Sequence, residues 1–512
     1  MKIHLSVHGA IIALLALATS CSNDDIDTKI AGKLSPDKNI STQSSFVAGH
    51  EGTRTSLNYT TNDFYWEDGD RIYVKDDEGT FNTSSNTVSG NQVNHFKFMM
   101  PGKYTASEYR VYYPGQKGKD NNVSISDNQT QTTPNSTSHI GVSGDCGSGI
   151  AQKQANGQYK FTLTHSAVLL CFNPTDSHEL TTTYVTKITV TANSPIAGKY
   201  TLSENKGQLT GTGTSKTITL NTKGTGTYAS GFPLKKDGAS YSAGRAFMVI
   251  APGKYKFTVK YYVYDTQTKV NAIVTKYTKE LEYEPNGYYE IPATLNIRAY
   301  DDNYYTWDAK QDYWYGYKSL QPKVNEGNNT NYPKAGDANR WYNTAKHPAK
   351  ASNKIKDCPN ANECMWYCVK GAPQWDNTTP WIAWGHLHTG GMWFKKASFI
   401  AKENGKTDAT ELKKAAPNGK DYVTTFHFDT PPSNNKIKQG EPIKRSQYFF
   451  LPAMGRYEEG TFKEFGTDGR YWTSTPLSYN KDIAFSLYFN SGYVAVSNII
   501  ERKNGLRQWT SE

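Results

Sequence analysis

The sequence predicts a mainly β protein: two β-sandwich domains in succession, followed by an α+β domain. Three observations carry that expectation. Apolar area rests on aromatics rather than on Leu and Ile: the chain has 36 Tyr and 11 Trp, yet only 36% hydrophobic residues and a mean hydropathy of −0.70. Tyr, Thr and Val suit pleated, half-buried strands. The 42 glycines, with frequent Asn, punctuate short alternating runs as tight turns do. Finally, the tryptophans are segregated: only Trp66 lies before Tyr300, and the other ten follow it. Two architectures therefore meet near Ile297–Asp302.

At the start, Lys2, an apolar run from Ala10 to Leu17 and the small residues Ala18-Thr19-Ser20 read as a secretory signal over residues 1–20. The run is too short to span a bilayer as a stable helix. The stretch ending at Cys21 resembles a bacterial lipobox, with Ala18 where Leu is more usual. That resemblance implies lipidation of Cys21. The Asp24-Asp25 pair after it resembles the surface-export signal of lipoproteins from Bacteroides-like bacteria. On the residues alone, an ordinary secreted protein with an incidental Cys is the alternative. Residues 21–45 are polar and aperiodic, a tether or propeptide region.

Residues 46–210 read as the first sandwich. Phe64-Tyr65-Trp66 leads into Asp68-Gly69-Asp70, a turn, and then Arg71-Ile72-Tyr73-Val74, a strand. Asp120 to Gly149 is rich in Asn, Ser and Thr and reads as a long exposed loop. Residues 211–297 read as the second sandwich, with Lys256, Thr258 and Lys260 alternating with Phe257, Val259 and Tyr261. In residues 298–512, Asn360 is an N-cap and Gly371 a stop for a short helix. Ile483 to Phe489 alternates as a strand, Asn490-Ser491-Gly492 turns it, and Val494 to Ile500 returns.

The net charge of +10 is spread along the chain without a Lys/Arg block, which argues against nucleic acid as a partner. Of the cysteines beyond Cys21, Cys146 and Cys171 could pair in an oxidising compartment, as could two of Cys358, Cys364 and Cys368. Cys364 and Cys368 are four apart on the expected helix, a poor geometry for bonding each other, so Cys358 with one of them is the better pairing. A zinc site lacks its fourth ligand. No phosphate loop, nucleophile elbow or carboxylate pair is present, so neither catalysis nor a cofactor is expected. His386 and His388 would share one face of a strand with no third ligand in view; His165, beside an apolar strand, reads as a satisfied core histidine. Glu284-Pro285-Asn286 reads as a turn. Trp375, Trp381, Trp384 and Trp393 are the candidates for stacking on sugar faces, against the alternative that they pack a core.

Arg54-Thr55, the Phe64–Val74 motif, the Phe161–Phe172 stretch with His165, and Met248-Val249-Ile250-Ala251-Pro252-Gly253 resemble the fimbrillin-like proteins of Bacteroides and Porphyromonas. The resemblance covers roughly residues 46 to 297. It implies two transthyretin-like β-sandwiches of a type V pilus subunit. It also implies cleavage after Arg54, leaving Thr55 as the new start, and release of the lipidated N-terminal strand. The groove left behind would accept a strand from another subunit. Leu451–Gly455, Gly469–Thr475, Ala484–Phe489 and Arg502 through Arg507 resemble the Fibrobacter major paralogous domain, related to C-type lectin-like folds. Gln508 stands where that family usually has a Cys, which puts its disulfide in doubt, and no calcium motif accompanies the match.

Together these resemblances imply a fimbrial tip adhesin at the outer membrane and cell surface. It would accept a donor strand below and present a C-type lectin-like domain outward to a glycan or other surface ligand. A permanently lipidated glycan-binding surface protein is the alternative.

Overall fold

The computed structural model describes residues 43–48, 56–58, 63–238, 244–346 and 349–510. Cys21, Arg54 and Thr55 lie outside them. The described part is mainly β, as expected, and Thr42–Glu512 forms one compact unit.

The first sheet runs Phe81–Thr83, Tyr73–Lys75, Glu108–Tyr113, Gly147–Lys153, Tyr159–Phe161, Ser44–Ala48 and Lys97–Met100. The conspicuous aromatic-acidic motif organises it. Gly69 adopts φ 85° at the turn. Trp66 is buried against Phe98 and Tyr113. Buried Asp70 accepts hydrogen bonds from the Glu67 N–H (2.8 Å), the Tyr113 hydroxyl (2.8 Å) and the Gln116 amide (3.0 Å). A buried carboxylate is tolerable only when it is satisfied in this way.

The next region packs two sheets on one core. Strand Val168–Asp176 lies antiparallel to Ala246–Ile250 and parallel to Tyr288–Thr294. Facing it, Thr183–Ala192 pairs with Thr217–Asn221 and Phe257–Asp265, and Asn271–Tyr277 forms the edge. Leu170, Phe172, Ile188, Val190, Leu220 and Val259 fill the space between. The expected border near residue 210 is corrected by this pairing. Strands from either side of 210 are hydrogen-bonded to each other, Thr183–Ala192 with both Thr217–Asn221 and Phe257–Asp265.

The expected exposed loop at 120–149 is also corrected. It contributes strands Asn122–Ile125 and Asn128–Thr130, a short helix at Ile140–Ser143, and a buried face of Val123, Ile125 and Ile140. Gln129 exchanges two hydrogen bonds with the Val249 backbone, at 2.7 and 2.9 Å. Gln131 does the same with the Arg245 carbonyl (3.0 Å) and the Phe247 N–H (2.7 Å). These side-chain amides supply the edge of Ala246–Ile250 with the partners that a neighbouring strand would provide.

In the last region the helix spans Ala361–Lys370, and the Asn360 side chain accepts the Glu363 N–H at 2.9 Å. Gly371 ends it for lack of space rather than by a left-handed turn: a Cβ there would sit 2.2 Å from the Tyr367 carbonyl oxygen. The expected hairpin forms from Ile483–Asn490 and Tyr493–Glu501, inside a six-stranded sheet. This region is joined to the preceding sheets by the His386–His388 strand. Leu387 buries into their core, its N–H bonds the Asp265 carboxylate at 3.1 Å, and its carbonyl accepts the Thr268 hydroxyl at 2.8 Å.

Candidate functional site

The Ser44–Ala48 strand is seated between two partners. It runs parallel to Tyr159–Phe161 and antiparallel to Lys97–Met100, so both of its backbone edges are occupied. The sequence Ser-Ser-Phe-Val-Ala explains the orientation: with a period of two, Phe46 and Ala48 point inward and are fully buried, while Ser45 and Val47 are half-buried. Phe46 stacks on Tyr159 (centroids 4.7 Å apart, planes at 13°) and meets Tyr104 edge-on at 5.3 Å. The tyrosines are fixed by their hydroxyls. Tyr159 donates to the Ala106 carbonyl at 2.8 Å, and Tyr109 donates to the Asp77 carboxylate. At its far end the Ala48 N–H bonds the Phe96 carbonyl (3.2 Å) and the Ala48 carbonyl bonds the His95 imidazole (3.2 Å). Taking this strand out leaves a slot with two unpaired edges and an aromatic socket the size of one phenyl ring.

Of the two readings weighed for the four tryptophans, burial favours core packing for three. Trp375, Trp381 and Trp393 are 6%, 0% and 4% exposed. Trp381 donates its indole N–H to the Gly390 carbonyl (3.1 Å), and Trp393 donates to Asp376 (3.0 Å). Trp384 is half-buried, with φ 51°, and packs on Phe462 and Phe465. Trp375, Trp381 and Trp393 are core residues, and Trp384 packs partly against the core. Trp341 and Tyr332, outside those four, are half-buried and line a pocket of about 230 Å³ with Tyr313, Glu459 and Lys503. Nothing in the sequence separates Trp341 from its buried counterparts except the Pro, Lys, Gly and Asn residues before it, which mark an exposed loop.

The five cysteines among the described residues are buried free thiols, which corrects the pairings entertained for them. Cys146 packs in the core with Leu170 and Phe172, whereas Cys171 alternates to the other face of their strand, beside Tyr288. Cys358 packs with Trp307 and Trp472, while Cys364 and Cys368 face the core under the helix. Burial pushes the Cys171 and Cys358 thiols up to about 12, so neither supplies a thiolate near neutrality.

His165 is a buried partner of Asp145, at 2.9 Å. Glu284-Pro285-Asn286 is a turn closed by the Gly287 N–H on the Glu284 carbonyl (3.0 Å). His386 and His388 do share one face of their strand. His386 lies 3.5 Å from Asp265 and 3.0 Å from the Thr182 hydroxyl. His388 packs at a tilt against Trp381 and edge-on to Phe465, and burial pushes its imidazole down to about 4. Among the described residues no group of three or more His, Cys, Asp or Glu could hold a metal ion.

No family model matches the chain, and neither does any curated protein. Among solved structures, a candidate cell adhesion protein from Bacteroides ovatus is similar at 12% identity, covering 50% of this chain and 94% of that one, with a TM-score of 0.28. The tip fimbrial protein Mfa3 of Porphyromonas gingivalis, truncated at its C-terminus, is similar at 9% identity over 46% of this chain and 82% of its own, with a TM-score of 0.24. The fimbrial anchor protein Mfa2 of the same organism is similar at 11% identity over the same shares, 46% and 82%, with a TM-score of 0.21. Identities and scores this low leave what the chain does to be read from its own residues.

Proposed function

We propose that this chain is a surface-delivered pilus subunit that accepts a donor strand, and that it occupies the tip as an adhesin. The observation that carries this reading is the position of Ser44–Ala48. It precedes Arg54 in the chain, yet it fills the slot between Lys97–Met100 and Tyr159–Phe161. In the proposed sequence of events, lipid on Cys21 brings the chain to the outer membrane, a protease cuts after Arg54, and the strand leaves with the lipid. An incoming strand with an aromatic at the Phe46 position then restores both rows of hydrogen bonds. The lectin-like domain faces outward. Residues 502–509 support a tip position, since they are built into that domain and are not free to serve as a donor strand.

The test is the N-terminus of the protein recovered from the cell surface. A start at Thr55, with a strand of another subunit co-purifying, is expected. A start at lipid-bearing Cys21 in assembled pili would refute the exchange. The full burial of Phe46 favours one alternative, a protein that keeps its strand and lipid and binds glycans from the membrane; intact lipid together with absence from pili is its signature.

A further inference from the structure

Of the 11 tryptophans, ten lie in or against a hydrophobic core, and among the described residues Trp341 alone joins none. Its one ring contact there is a tilted one with Tyr342, at 4.8 Å. Half-buried Trp341 and Tyr332 wall the pocket of about 230 Å³ described above, with fully buried Tyr313 at its base.

The loop that carries these walls is pinned. Buried Arg340 donates to the Tyr313 carbonyl (3.2 Å), the Asn331 carbonyl (2.8 Å) and the Asp337 carboxylate (2.7 Å), and the Trp341 N–H bonds the Asp337 carbonyl at 3.2 Å. Gly460 lets Tyr332 close in: a Cβ there would press on the Asn329 carbonyl oxygen and lie 2.7 Å from the Tyr332 ring. A pocket built in advance keeps the ordering cost of binding low.

Its polar groups suit a ligand rich in hydroxyls. The Tyr313 hydroxyl accepts the Gly460 N–H at 3.2 Å. Burial pushes its titration above the usual tyrosine range, so it keeps a proton for which the described residues offer no acceptor. The Trp341 indole N–H and the Tyr332 hydroxyl are not sealed in the interior, and they too have no partner among the described residues. On the rim, Glu459 accepts Lys503 at 3.0 Å with one oxygen, while its other oxygen has no partner among the described residues; Lys503 is shared with Glu501 at 3.3 Å. That cluster balances its own charge and stays intact when a neutral ligand enters. The Lys334 ammonium lies over the Tyr332 ring, 5.0 Å from its centroid, so stacking falls to Trp341.

A flat apolar face, several unpaired donors, one open acceptor and balanced charge match a single neutral sugar ring, whose C–H face packs on an indole while its hydroxyls give and take hydrogen bonds. The volume is below the roughly 300–1,000 Å³ of pockets for drug-sized ligands, leaving room for one ring. The geometry points to a binding site for the neutral terminal monosaccharide of a surface glycan, stacked on Trp341 and hydrogen-bonded to Tyr313 and Glu459. This rests on the adhesin reading and deepens it by naming the site and the class of ligand.

The test is saturation-transfer NMR on the full chain with methyl β-galactoside, methyl α-mannoside, methyl β-glucoside and methyl N-acetyl-β-glucosaminide. Cyclohexanol is run beside them as a ring without neighbouring hydroxyls. At least one glycoside is expected to take up saturation where cyclohexanol does not. Trp341→Ala is expected to weaken that binding about tenfold or more with unchanged melting, and Trp341→Phe to restore most of it. Tyr313→Phe keeps the ring and removes only the proton donor, and it should weaken binding about fivefold to tenfold. If that buried change also lowers melting, the Trp341 pair decides alone. Binding of none of the glycosides, equal uptake by cyclohexanol, or a Trp341→Ala variant that binds as well as the parent overturns the inference. The N-terminus of the surface protein is read separately: failure here leaves strand exchange standing, and a lipid-bearing Cys21 start in a chain that still binds sugar refutes only the exchange.

Discussion

Truncating Phe46 to alanine should loosen the seat of the first strand while the rest of the molecule stays folded. Phe46 is fully buried and touches Tyr159 face-on and Tyr104 and Tyr109 edge-on, at centroid distances of 4.7, 5.3 and 6.4 Å. Removing a buried phenyl ring costs about 3–5 kcal/mol, the loss of transfer energy plus the cavity left behind. The neighbouring tyrosines are tied by their hydroxyls and cannot collapse into the gap, which favours the upper half of that range. At about 1.4 kcal/mol per decade, local opening becomes some two to three and a half orders of magnitude more frequent. Hydrogen exchange read by mass spectrometry on peptides covering 97–100 and 159–161 reports that opening directly. Peptides from Ile483–Asn490 serve as the control, and Val47→Ala, at a half-buried position, should change little. Unchanged protection in the two flanking strands, or equal loss of protection across the whole chain, would refute the idea of a separately removable strand.

Gln129→Ala should destabilise the central sheets by about 2–4 kcal/mol, because it strands both the N–H and the carbonyl of Val249 in the core; chemical denaturation followed by tryptophan fluorescence measures it. His388 carries a folded value of about 4 against about 6.5 for the unfolded chain, so the unfolded state binds more protons between them. Stability is therefore full above about pH 6.5 and declines by up to roughly 3 kcal/mol as pH falls to about 4. His388→Phe should flatten that slope in denaturation curves taken across this range. Asp265 behaves in the complementary way: burial raises its carboxyl, but hydrogen bonds from the Leu387, Thr268 and Gln267 N–H groups outweigh it and hold it below the usual range. Its contribution to the joint is present above about pH 3.9 and is lost on further acidification. Trp381→Ala should cost about 3–5 kcal/mol in the same denaturation measurement, because the ring is fully buried.

What could be read from the sequence follows a physical line. Elements whose pattern is local and apolar were legible: the Asn360 cap, the Ile483–Asn490 hairpin strand, and the Asp68-Gly69 turn each declare themselves within about ten residues. The Asp120–Gly149 stretch was not, because its structural role is carried by polar side chains. Gln129 and Gln131 look solvent-exposed by composition, yet they serve as surrogate strand backbone for a partner more than a hundred residues away. The border near 210 failed for a related reason. Sheet membership is set by long-range pairing, and Thr183–Ala192 finds both of its main partners beyond residue 216. The tryptophans show the limit on the site itself. Aromatic content marks a region as unusual, but it does not say which rings keep a face in water.

The two ends of the described chain differ in a way that bears on assembly. The first strand is held by backbone pairing and by one buried ring, interactions that any incoming strand of similar pattern can reproduce. Residues 502–509 are held by interactions that no replacement strand supplies. Arg507 is buried and binds the Asp301 carboxylate at 2.6 Å, with the Asp301 and Asn303 carbonyls as further acceptors. Arg502, also buried, reaches the Ile483 and Asn343 carbonyls and lies over the Trp307 ring. Trp509 stacks on Phe449. Withdrawing this segment strips two buried guanidinium groups of their hydrogen-bond partners and uncovers core. Withdrawing Ser44–Ala48 uncovers a socket that another phenylalanine can refill. On the proposed reading, exchange at the front of the molecule would be nearly neutral once a replacement arrived, whereas exchange at 502–509 would be uphill. That asymmetry fits the proposal of a chain that accepts a strand rather than donating one through the segments described.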